Sequence, residues 1–235
     1  MKYRHIRTAE FIERPNRFIA KVMIDGHIET VHVKNTGRCS EILRKGAKVY
    51  LEESENPMRK TRYDLVSVVK KRNDGSLFLI NIDSQIPNNA VDEWLRKGEL
   101  FGSDALIRRE YTYGSSRFDF IIEEKEKTSF LEVKGVTLEY DGIAFFPDAP
   151  TERGVKHIRE LIKARMDGYG AYIMFVIQMK GIHEFRPNES THKAFAEALR
   201  EAERSGVRLL AYDCIVTPES MRVDKPIKIR TEQVL

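Results

Sequence analysis

The feature that most constrains the fold is an unbroken apolar segment, residues 171–177, whose sequence is AYIMFVI. A strand with one face in water alternates apolar and polar side chains, whereas this segment does not alternate, so both of its faces must be covered. It is far shorter than the ~20 residues that a membrane-spanning helix requires. We therefore predict a central strand in a sheet that is covered by helices.

Amphipathic patterns lie on both sides of this segment. Apolar side chains recur at helical spacing over residues 155–166 and over residues 195–202, and the second helix should end near Gly206. Strand-like composition precedes the first helix and follows the second, at residues 106–113, 117–123, 129–136 and 207–212. This order of helices and strands predicts an α/β domain in the second part of the chain.

The first part of the chain has a different pattern, with short strands separated by turns. Strands are predicted at residues 17–24, 28–33, 47–51, 63–69 and 77–82, with turns at Asp25-Gly26 and Asn73-Asp74-Gly75. This number of short strands suits an all-β, OB-like barrel, a fold that commonly binds oligonucleotides. A purely structural β-domain would show the same alternation.

The boundary between the two parts is placed at residues 83–89, which lack periodicity and contain Pro87-Asn88. The predicted domains are therefore a barrel at residues 1–85 and an α/β domain at residues 86–235. The second domain should begin with a short helix at residues 91–97.

Charge is distributed unevenly between these domains. Residues 1–85 hold 17 Lys and Arg against 11 Asp and Glu, whereas residues 86–235 hold 23 against 25. A basic excess in the barrel is typical of a surface that contacts phosphates, although a solvated basic face is the alternative. The start of the chain has no apolar signal segment, and Cys39 and Cys214 lack CxxC spacing. We therefore expect a cytoplasmic protein without a disulfide framework or thiolate zinc site.

Two neighbouring strands carry the residues with the clearest chemistry. Asp119 interrupts an apolar run, and Glu132 and Lys134 project from one face of the next strand because they are two residues apart. If the strands pair as a hairpin, the two carboxylates approach each other and need a cation between them. Mg²⁺ or Mn²⁺ fits because such ions use few carboxylates and keep waters. Lys134 would then orient the attacking water or stabilise the transition state of a nuclease. The alternative is an ordinary surface salt bridge.

The order of Asp119, Glu132 and Lys134 resembles the PD-(D/E)XK nuclease superfamily, although Phe118 stands where proline usually precedes the aspartate. Longer strings resemble the sugar fermentation stimulation protein A (SfsA) family almost from end to end. They are NRF, HVKNTGR, RKT, PN, YGSSRFDF, EVKGVTL, FPDAPTERGVKHIREL and FVIQ.

The resemblance implies an N-terminal OB-like barrel followed by a PD-(D/E)XK nuclease-like α/β domain. It also implies DNA binding without sequence preference and a connection with the regulation of sugar, notably maltose, metabolism. Carried onto this sequence, the motif predicts metal binding by Asp119, Glu132 and a helical carboxylate, Glu93, for which Glu110 is a second candidate. The predicted cofactor is a divalent cation, Mg²⁺ or Mn²⁺.

A second group of candidates lies at the start of the first long helix. Thr151 can cap this helix, and Arg153, His157 and Glu160 follow at helical spacing on what we expect to be an exposed ridge. Arg153 would contact phosphate, and His157 could move a proton near neutral pH. A solvated helix face is the alternative.

The predicted nucleic-acid contacts are cationic or amide side chains, placed mostly in the barrel. They are Arg17, His32, Lys34, Asn35, Arg38, Arg59, Lys60, Arg62, Arg117 and Arg153, and Thr36 would help to position a phosphate. Phe18, which lies among apolar neighbours, is predicted to belong to the core rather than to a stacking platform. The string HVKNTGR could instead form a structural loop or an interdomain contact.

Three functions are consistent with the sequence. The chain could be a non-specific DNA-binding protein, or one that also binds RNA, with metal-dependent nuclease activity. It could be a DNA-binding regulator that does not cleave. It could also be an adaptor that binds a protein or small molecule through the barrel, because an OB-type fold hosts such roles.

Overall fold

The computed structural model describes residues 1–35, 37–72 and 75–232. Thr36 and the predicted turn residues Asn73 and Asp74 lie outside the described residues. The elements of the first part are β1 (Ile6–Asn16), β2 (Ile19–Ile24), β3 (His27–Val33), β4 (Lys48–Glu53), β5 (Tyr63–Lys71) and β6 (Leu77–Asn81). The second part contains α1 (Ile86–Leu95), β7 (Leu106–Tyr113), β8 (Ser116–Glu124), β9 (Lys127–Val136), β10 (Leu138–Tyr140), β11 (Ile143–Phe146), α2 (Glu152–Met166), β12 (Gly170–Ile177), β13 (Glu184–Pro187), α3 (Lys193–Arg204), β14 (Arg208–Thr217), β15 (Ser220–Pro226) and β16 (Lys228–Ile229).

Strands β1 to β5 form a closed barrel, and β6 extends the sheet beside β5. The strand order is β3-β2-β1-β4-β5-β6, and a parallel pairing of β3 with β5 closes the barrel. Alternate side chains fill the interior, among them Val22, Val31, Val49 and Leu65, which are fully buried. The predicted OB-like barrel is confirmed.

One strand was missed, and one local prediction was wrong. Strand β1 was not predicted, because its apolar residues do not alternate regularly with its polar ones. Helix α1 begins at Ile86, so residues 86–89 belong to a helix and not to a linker. Pro87 is compatible with this position, because a proline in the first turn has no intrahelical hydrogen bond to lose.

Strand β12 is the centre of a six-stranded sheet with the order β15-β14-β12-β9-β8-β7. It runs parallel to β9 and β14, and all eight of its residues are buried. Its side chains alternate between two cores. Ile173 and Phe175 pack with α2 and α3, whereas Met174 and Val176 pack with α1. The predicted α/β class is therefore confirmed, and the absence of alternation in β12 follows from helices on both faces.

A second, four-stranded sheet was not predicted. Its order is β10-β11-β13-β16, and each of these strands has at most four residues. Strand β15, which forms a hairpin with β14, was also missed. Such short strands carry too few residues for alternation to be recognised.

Buried hydrogen bonds join the barrel sheet to the central strand. Gln178, which directly follows β12, donates from its side-chain Nε2 to the backbone oxygens of Asn81 and Asp83. In return, the Gln178 carbonyl accepts from the Asn81 amide at 2.9 Å. At the start of the chain, Tyr3 donates its amide to Glu219 beside β15. Within the described ranges, none of the helices is both long and apolar enough to cross a membrane.

Candidate functional site

The two predicted carboxylates lie where strands β8 and β9 separate. The antiparallel ladder between these strands ends at the pair Phe120 and Leu131, so Asp119 and Glu132 are the next residues opposite each other. Beyond that point the Asp119 side chain replaces the backbone partner, because its Oδ2 accepts from the Val133 amide at 2.7 Å. The Asp119 carboxylate therefore lies beside Glu132, at the point where the pairing of β8 with β9 ends.

A residue of α1 holds the other oxygen of Asp119. Asn88 donates from its side-chain Nδ2 to Asp119 Oδ1 at 2.7 Å. Burial and the negative charge of Glu132 raise the pKa of the Asp119 carboxyl, and the hydrogen bonds from Val133 and Asn88 offset this only in part. Neighbouring carboxylates of this kind favour protonation of one member or a cation between them.

The carboxylate of Glu132 is buried and its two oxygens differ. Its Oε1 accepts from Lys134 Nζ and from the His157 ring. Its Oε2 is buried with no hydrogen-bond partner among the described residues. Burial alone would raise the pKa of Glu132, but the charge of Lys134 and the hydrogen bond from His157 outweigh it, so the pKa is lowered. An ionised, unpartnered oxygen therefore remains in a buried position, which is costly without a cation.

The hydrogen bonds of His157 define its neutral tautomer. Arg153 donates from Nε to His157 Nε2 at 3.3 Å, and a guanidinium can only donate. The proton of the neutral ring must therefore be on Nδ1, which donates to Glu132. The prediction of an exposed ridge on α2 is wrong for His157, which is 5% exposed and faces the sheet. Arg153 is exposed, as predicted. Thr151 caps α2 as predicted, accepting from the Gly154 amide at 3.0 Å.

The structure does not bring either additional predicted carboxylate into contact with the pair. Glu93 binds the N-terminal ammonium of Met1 and its side chain is 52% exposed. Glu110 lies opposite Asp119 on β7, but its carboxylate binds Arg117. Among the described residues, no group of three His, Cys, Asp or Glu side chains is arranged to hold a metal ion.

Asn88 was not predicted as a site residue. It occurs in the PN string quoted above, but its contact with Asp119 depends on the position of α1 against the sheet. No spacing in the sequence indicates that contact.

Three predicted phosphate contacts in the barrel converge instead on a buried carboxylate, Asp64. His32 Nδ1 lies 2.9 Å from Asp64 Oδ1, Arg59 donates to both oxygens at 2.6 and 2.9 Å, and Lys34 Nζ lies 3.0 Å from Oδ2. Lys34 is also within 3.6 Å of Asp83 and 3.9 Å of Glu52. We call these six residues the Asp64 cluster.

The Asp64 cluster is charge-compensated internally. Burial would raise the pKa of Asp64, but hydrogen bonds from Arg59, Lys34 and His32 lower it well below its usual range. The three carboxylates of the cluster therefore offset the charges of Lys34 and Arg59. These two cations have little net charge left with which to attract a phosphate.

The remaining predicted contacts fall into three groups. Asn35 is structural, because its side chain donates to the Ile82 carbonyl and accepts from the Gly37 amide. Arg62 and Arg117 are exposed and bind Glu53 and Glu110 respectively. Arg17, Arg38, Lys60 and Arg153 are the predicted contacts that are exposed and have no carboxylate partner among the described residues.

The loop that carries Asn35 and Arg38 contacts the second domain. A Cβ on Gly37 would lie 2.2 Å from Asp148 Oδ2, so the backbone of this loop lies close against the Asp148 side chain. Arg14 fixes the same loop by donating to the backbone oxygens of Asn35, Gly37 and Arg38. The alternative of an interdomain contact for HVKNTGR therefore agrees with this geometry. Arg14, which precedes the NRF string, was not singled out from the sequence.

Phe18 is exposed, and its predicted core position was wrong. Its side chain is 49% exposed in the turn between β1 and β2, and the Arg17 guanidinium lies 4.7 Å from the ring centroid. The apolar neighbours Ile19 and Ala20 begin β2, whereas Phe18 precedes that strand.

Fold and site together define a class of protein: an OB-type barrel joined to a mixed α/β domain in which a buried glutamate faces a half-buried aspartate beside a lysine. Family profiles match both parts, as the SfsA N-terminal OB domain at residues 12–80 and the sugar fermentation stimulation protein RE domain at residues 85–220. The chain belongs to the SfsA family.

Relatives match the chain over nearly its whole length. The sugar fermentation stimulation protein homolog of Ruminiclostridium cellulolyticum is 55% identical over 230 residues, which cover 98% of this chain and 100% of that protein. The homolog of Clostridium beijerinckii is 52% identical over 223 residues, covering 95% and 96% respectively. A solved structure of SfsA from Pyrococcus furiosus in complex with Ca²⁺ has a TM-score of 0.84 and 28% identity, and covers 98% of both chains.

Proposed function

We propose that this protein binds DNA and, with a divalent cation held by Asp119 and Glu132, hydrolyses phosphodiester bonds. One observation carries the proposal: Glu132 Oε2 is buried, belongs to a carboxylate with a lowered pKa, and has no partner among the described residues. Burial, together with the negative charge of Glu132, raises the pKa of the neighbouring Asp119 carboxyl.

The donor set fits Mg²⁺ or Mn²⁺ better than a metal that needs a complete protein cage. Mg²⁺ commonly uses one or two carboxylates and fills its other positions with water and substrate oxygens. Asp119 and Glu132 supply two carboxylates, and each Asp119 oxygen keeps a lone pair beyond its hydrogen bond. The relative from Pyrococcus furiosus, whose structure is described as a complex with Ca²⁺, supports a hard cation in this family.

The chain's own residues supply the remaining chemistry. A bound divalent cation polarises the phosphoryl group and activates water. Lys134 places a positive charge beside Glu132, where it stabilises the negative charge that develops on the phosphate. His157 donates from Nδ1 to Glu132 and fixes its Oε1, so that Oε2 would remain available to hold a cation. Asn88 and the Val133 amide orient Asp119 in the same way.

Cleavage assays with matched variants test the proposal. Single- and double-stranded DNA are incubated with the protein and Mg²⁺ or Mn²⁺, and products are resolved by denaturing electrophoresis. Wild type should cleave, whereas Glu132→Gln and Lys134→Met should not. Lys127→Gln, which alters an exposed cation at the start of β9, is the control and should retain cleavage. Equal traces of activity in all four proteins would identify a contaminant and end the nuclease proposal.

A second candidate is a DNA-binding regulator, connected with sugar metabolism, that does not cleave. The lack of a third metal-binding side chain beside Asp119 and Glu132, among the residues described, favours it. So do the names of the relatives, which refer to stimulation of sugar fermentation. Its signature is salt-dependent DNA binding by wild type and by Glu132→Gln alike, with no cleavage under either metal. If neither protein binds nucleic acid at low salt, the adaptor hypothesis replaces both candidates.

A further inference from the structure

The turn between β1 and β2 holds an aromatic ring in water by several fixed contacts. Asn16 Oδ1 accepts the amides of Phe18 and Ile19 at 2.8 and 3.1 Å, and the Phe18 carbonyl accepts the Val33 amide at 2.7 Å. The Arg17 guanidinium stacks near the ring. The backbone of Phe18 is therefore fixed while about half of its side chain remains exposed, which is the arrangement of a preformed stacking surface.

A groove of about 540 Å³ adjoins this turn, because Asn16 and Arg17, which precede Phe18, are part of its lining. Among the described residues, its charged lining consists of Arg14, Arg17, Arg38 and Lys45 against a single carboxylate, Glu13. Glu13 is itself paired with a lysine, Lys21, at 2.7 Å. The groove therefore has a clear excess of positive charge, in contrast to the Asp64 cluster.

Three of these cations are available to contact a phosphate. Arg17, Arg38 and Lys45 are exposed, and none forms an ion pair within the part of the chain that the structure describes. Arg14 differs because it is committed to backbone oxygens of the 35–38 loop and shapes the groove wall. Free cations along a groove beside an exposed aromatic ring match a phosphodiester backbone with unpaired bases.

The groove is joined by contacts to the carboxylate site. Its wall at Gly37 packs against Asp148, three residues before Thr151, which caps α2. The first turns of α2 then carry Arg153 and His157, and His157 contacts Glu132. These contacts, from Gly37 through Asp148 to the first turns of α2, connect the groove with the carboxylate site.

We propose that Phe18 and Arg17 form a stacking platform, which together with Arg38 and Lys45 makes the barrel a binding site for single-stranded DNA. This deepens the proposed function and rests on it, because it assigns the strand form that is delivered to Asp119 and Glu132. Bases in a duplex already stack on each other, so an exposed ring stabilises only an unpaired strand. In this turn the side-chain oxygen of Asn16 already accepts two amides, so it is not free to accept from a ribose 2′-hydroxyl.

Fluorescence anisotropy with labelled oligonucleotides tests this inference. The probes are oligo(dT) and oligo(U) of about 16 nucleotides and a DNA duplex of the same length, without metal so that no cleavage occurs. Phe18→Ala should weaken oligo(dT) binding roughly 5- to 150-fold, the loss expected for one stacked base, and should leave duplex binding unchanged. Phe18→Trp should restore binding. Arg38→Gln should lower the salt dependence of oligo(dT) binding by about 0.7 in the logarithmic slope.

The control is Leu77→Ala, which removes an exposed apolar side chain from β6, outside the groove. It should bind oligo(dT) as wild type does. Circular dichroism checks that each variant is folded.

Three results would overturn the proposed stacking platform: equal losses of duplex and oligo(dT) binding in Phe18→Ala, no loss of binding in that variant, or no rescue by Phe18→Trp. Tighter binding of oligo(U) than of oligo(dT) would overturn the assignment to DNA. Wild type that binds none of the probes refutes the proposed function itself, which is a separate result from a failure confined to Phe18.

Discussion

The Asp64 cluster yields the sharpest prediction about the barrel: Asp64→Asn should destabilise the protein and should not abolish DNA binding. The substitution keeps the size of the side chain and removes the negative charge on which His32, Lys34 and Arg59 converge. If these residues served mainly to contact phosphate, removal of Asp64 would cost little stability.

The size of the expected loss in stability depends on the carboxylate contacts and the solvent exposure that each cation keeps in the variant. Breaking a buried ion pair by removing one partner costs about 3–5 kcal/mol. Lys34 keeps Asp83 at 3.6 Å and Glu52 at 3.9 Å, and the side chains of Arg59 and His32 are 29% and 34% exposed. The loss should therefore lie at the lower end, about 3 kcal/mol. For a chain of this length that is a fall in melting temperature of roughly 6–12 °C.

The pH dependence has a definite sign. The pKa of Asp64 in the folded protein is lower than its value of about 3.9 in an unfolded chain. Its contribution to the free energy of unfolding is therefore complete above that value and is lost as pH falls through the folded-state pKa. The difference between wild type and Asp64→Asn should be constant near neutral pH and should narrow under acidic conditions.

Urea denaturation followed by circular dichroism and by the fluorescence of Trp94 measures this difference. Lys60→Gln, an exposed cation in the same domain, is the control and should change stability by less than about 0.5 kcal/mol. Equal stability of Asp64→Asn and wild type would refute the structural role of the cluster. A gap that widens as pH falls would refute the pKa assignment.

Two further predictions concern the second domain. His157→Ala removes the donor that fixes Glu132 Oε1, so Mn²⁺ affinity measured by calorimetry should fall roughly 10- to 100-fold. His157→Gln should recover part of this affinity. Unchanged Mn²⁺ affinity in His157→Ala would contradict the positioning role. Gly135→Ala places a Cβ 2.5 Å from Gln178 Oε1 and 2.9 Å from Pro87 Cγ, so urea denaturation should reveal a loss of about 1–3 kcal/mol, and an unchanged midpoint would contradict the tight packing.

The spacing of apolar residues predicted those helices and strands whose burial pattern can be recognised within their own segment of sequence. Strand β12 and the helices α2 and α3 were placed closely because each is long enough for its apolar pattern to be distinctive. The carboxylates of β8 and β9 were also identified, because a strand's side-chain spacing fixes which residues share a face. Strand β1 and the first turns of α1 were missed where polar residues or a proline interrupted the pattern.

Long-range pairing could not be obtained in this way. His32 and Lys34 were assigned to phosphate because their charge is visible in the local sequence, whereas Asp64 lies about thirty residues away and reaches them only when β3 pairs with β5. Asn88 meets Asp119 only after α1 packs on the sheet. Phe18 was assigned to the core because the beginning of β2 cannot be located to one residue from composition.

The central claim is that Asp119 and Glu132 hold a divalent cation. Anomalous diffraction from crystals soaked in Mn²⁺ tests it most directly, with Glu132→Gln crystals soaked in parallel. We expect a peak in wild type between the two carboxylates, in contact with Glu132 Oε2, and none at that position in the variant. A wild-type map without that peak, from crystals that bind Mn²⁺ elsewhere, would contradict the claim.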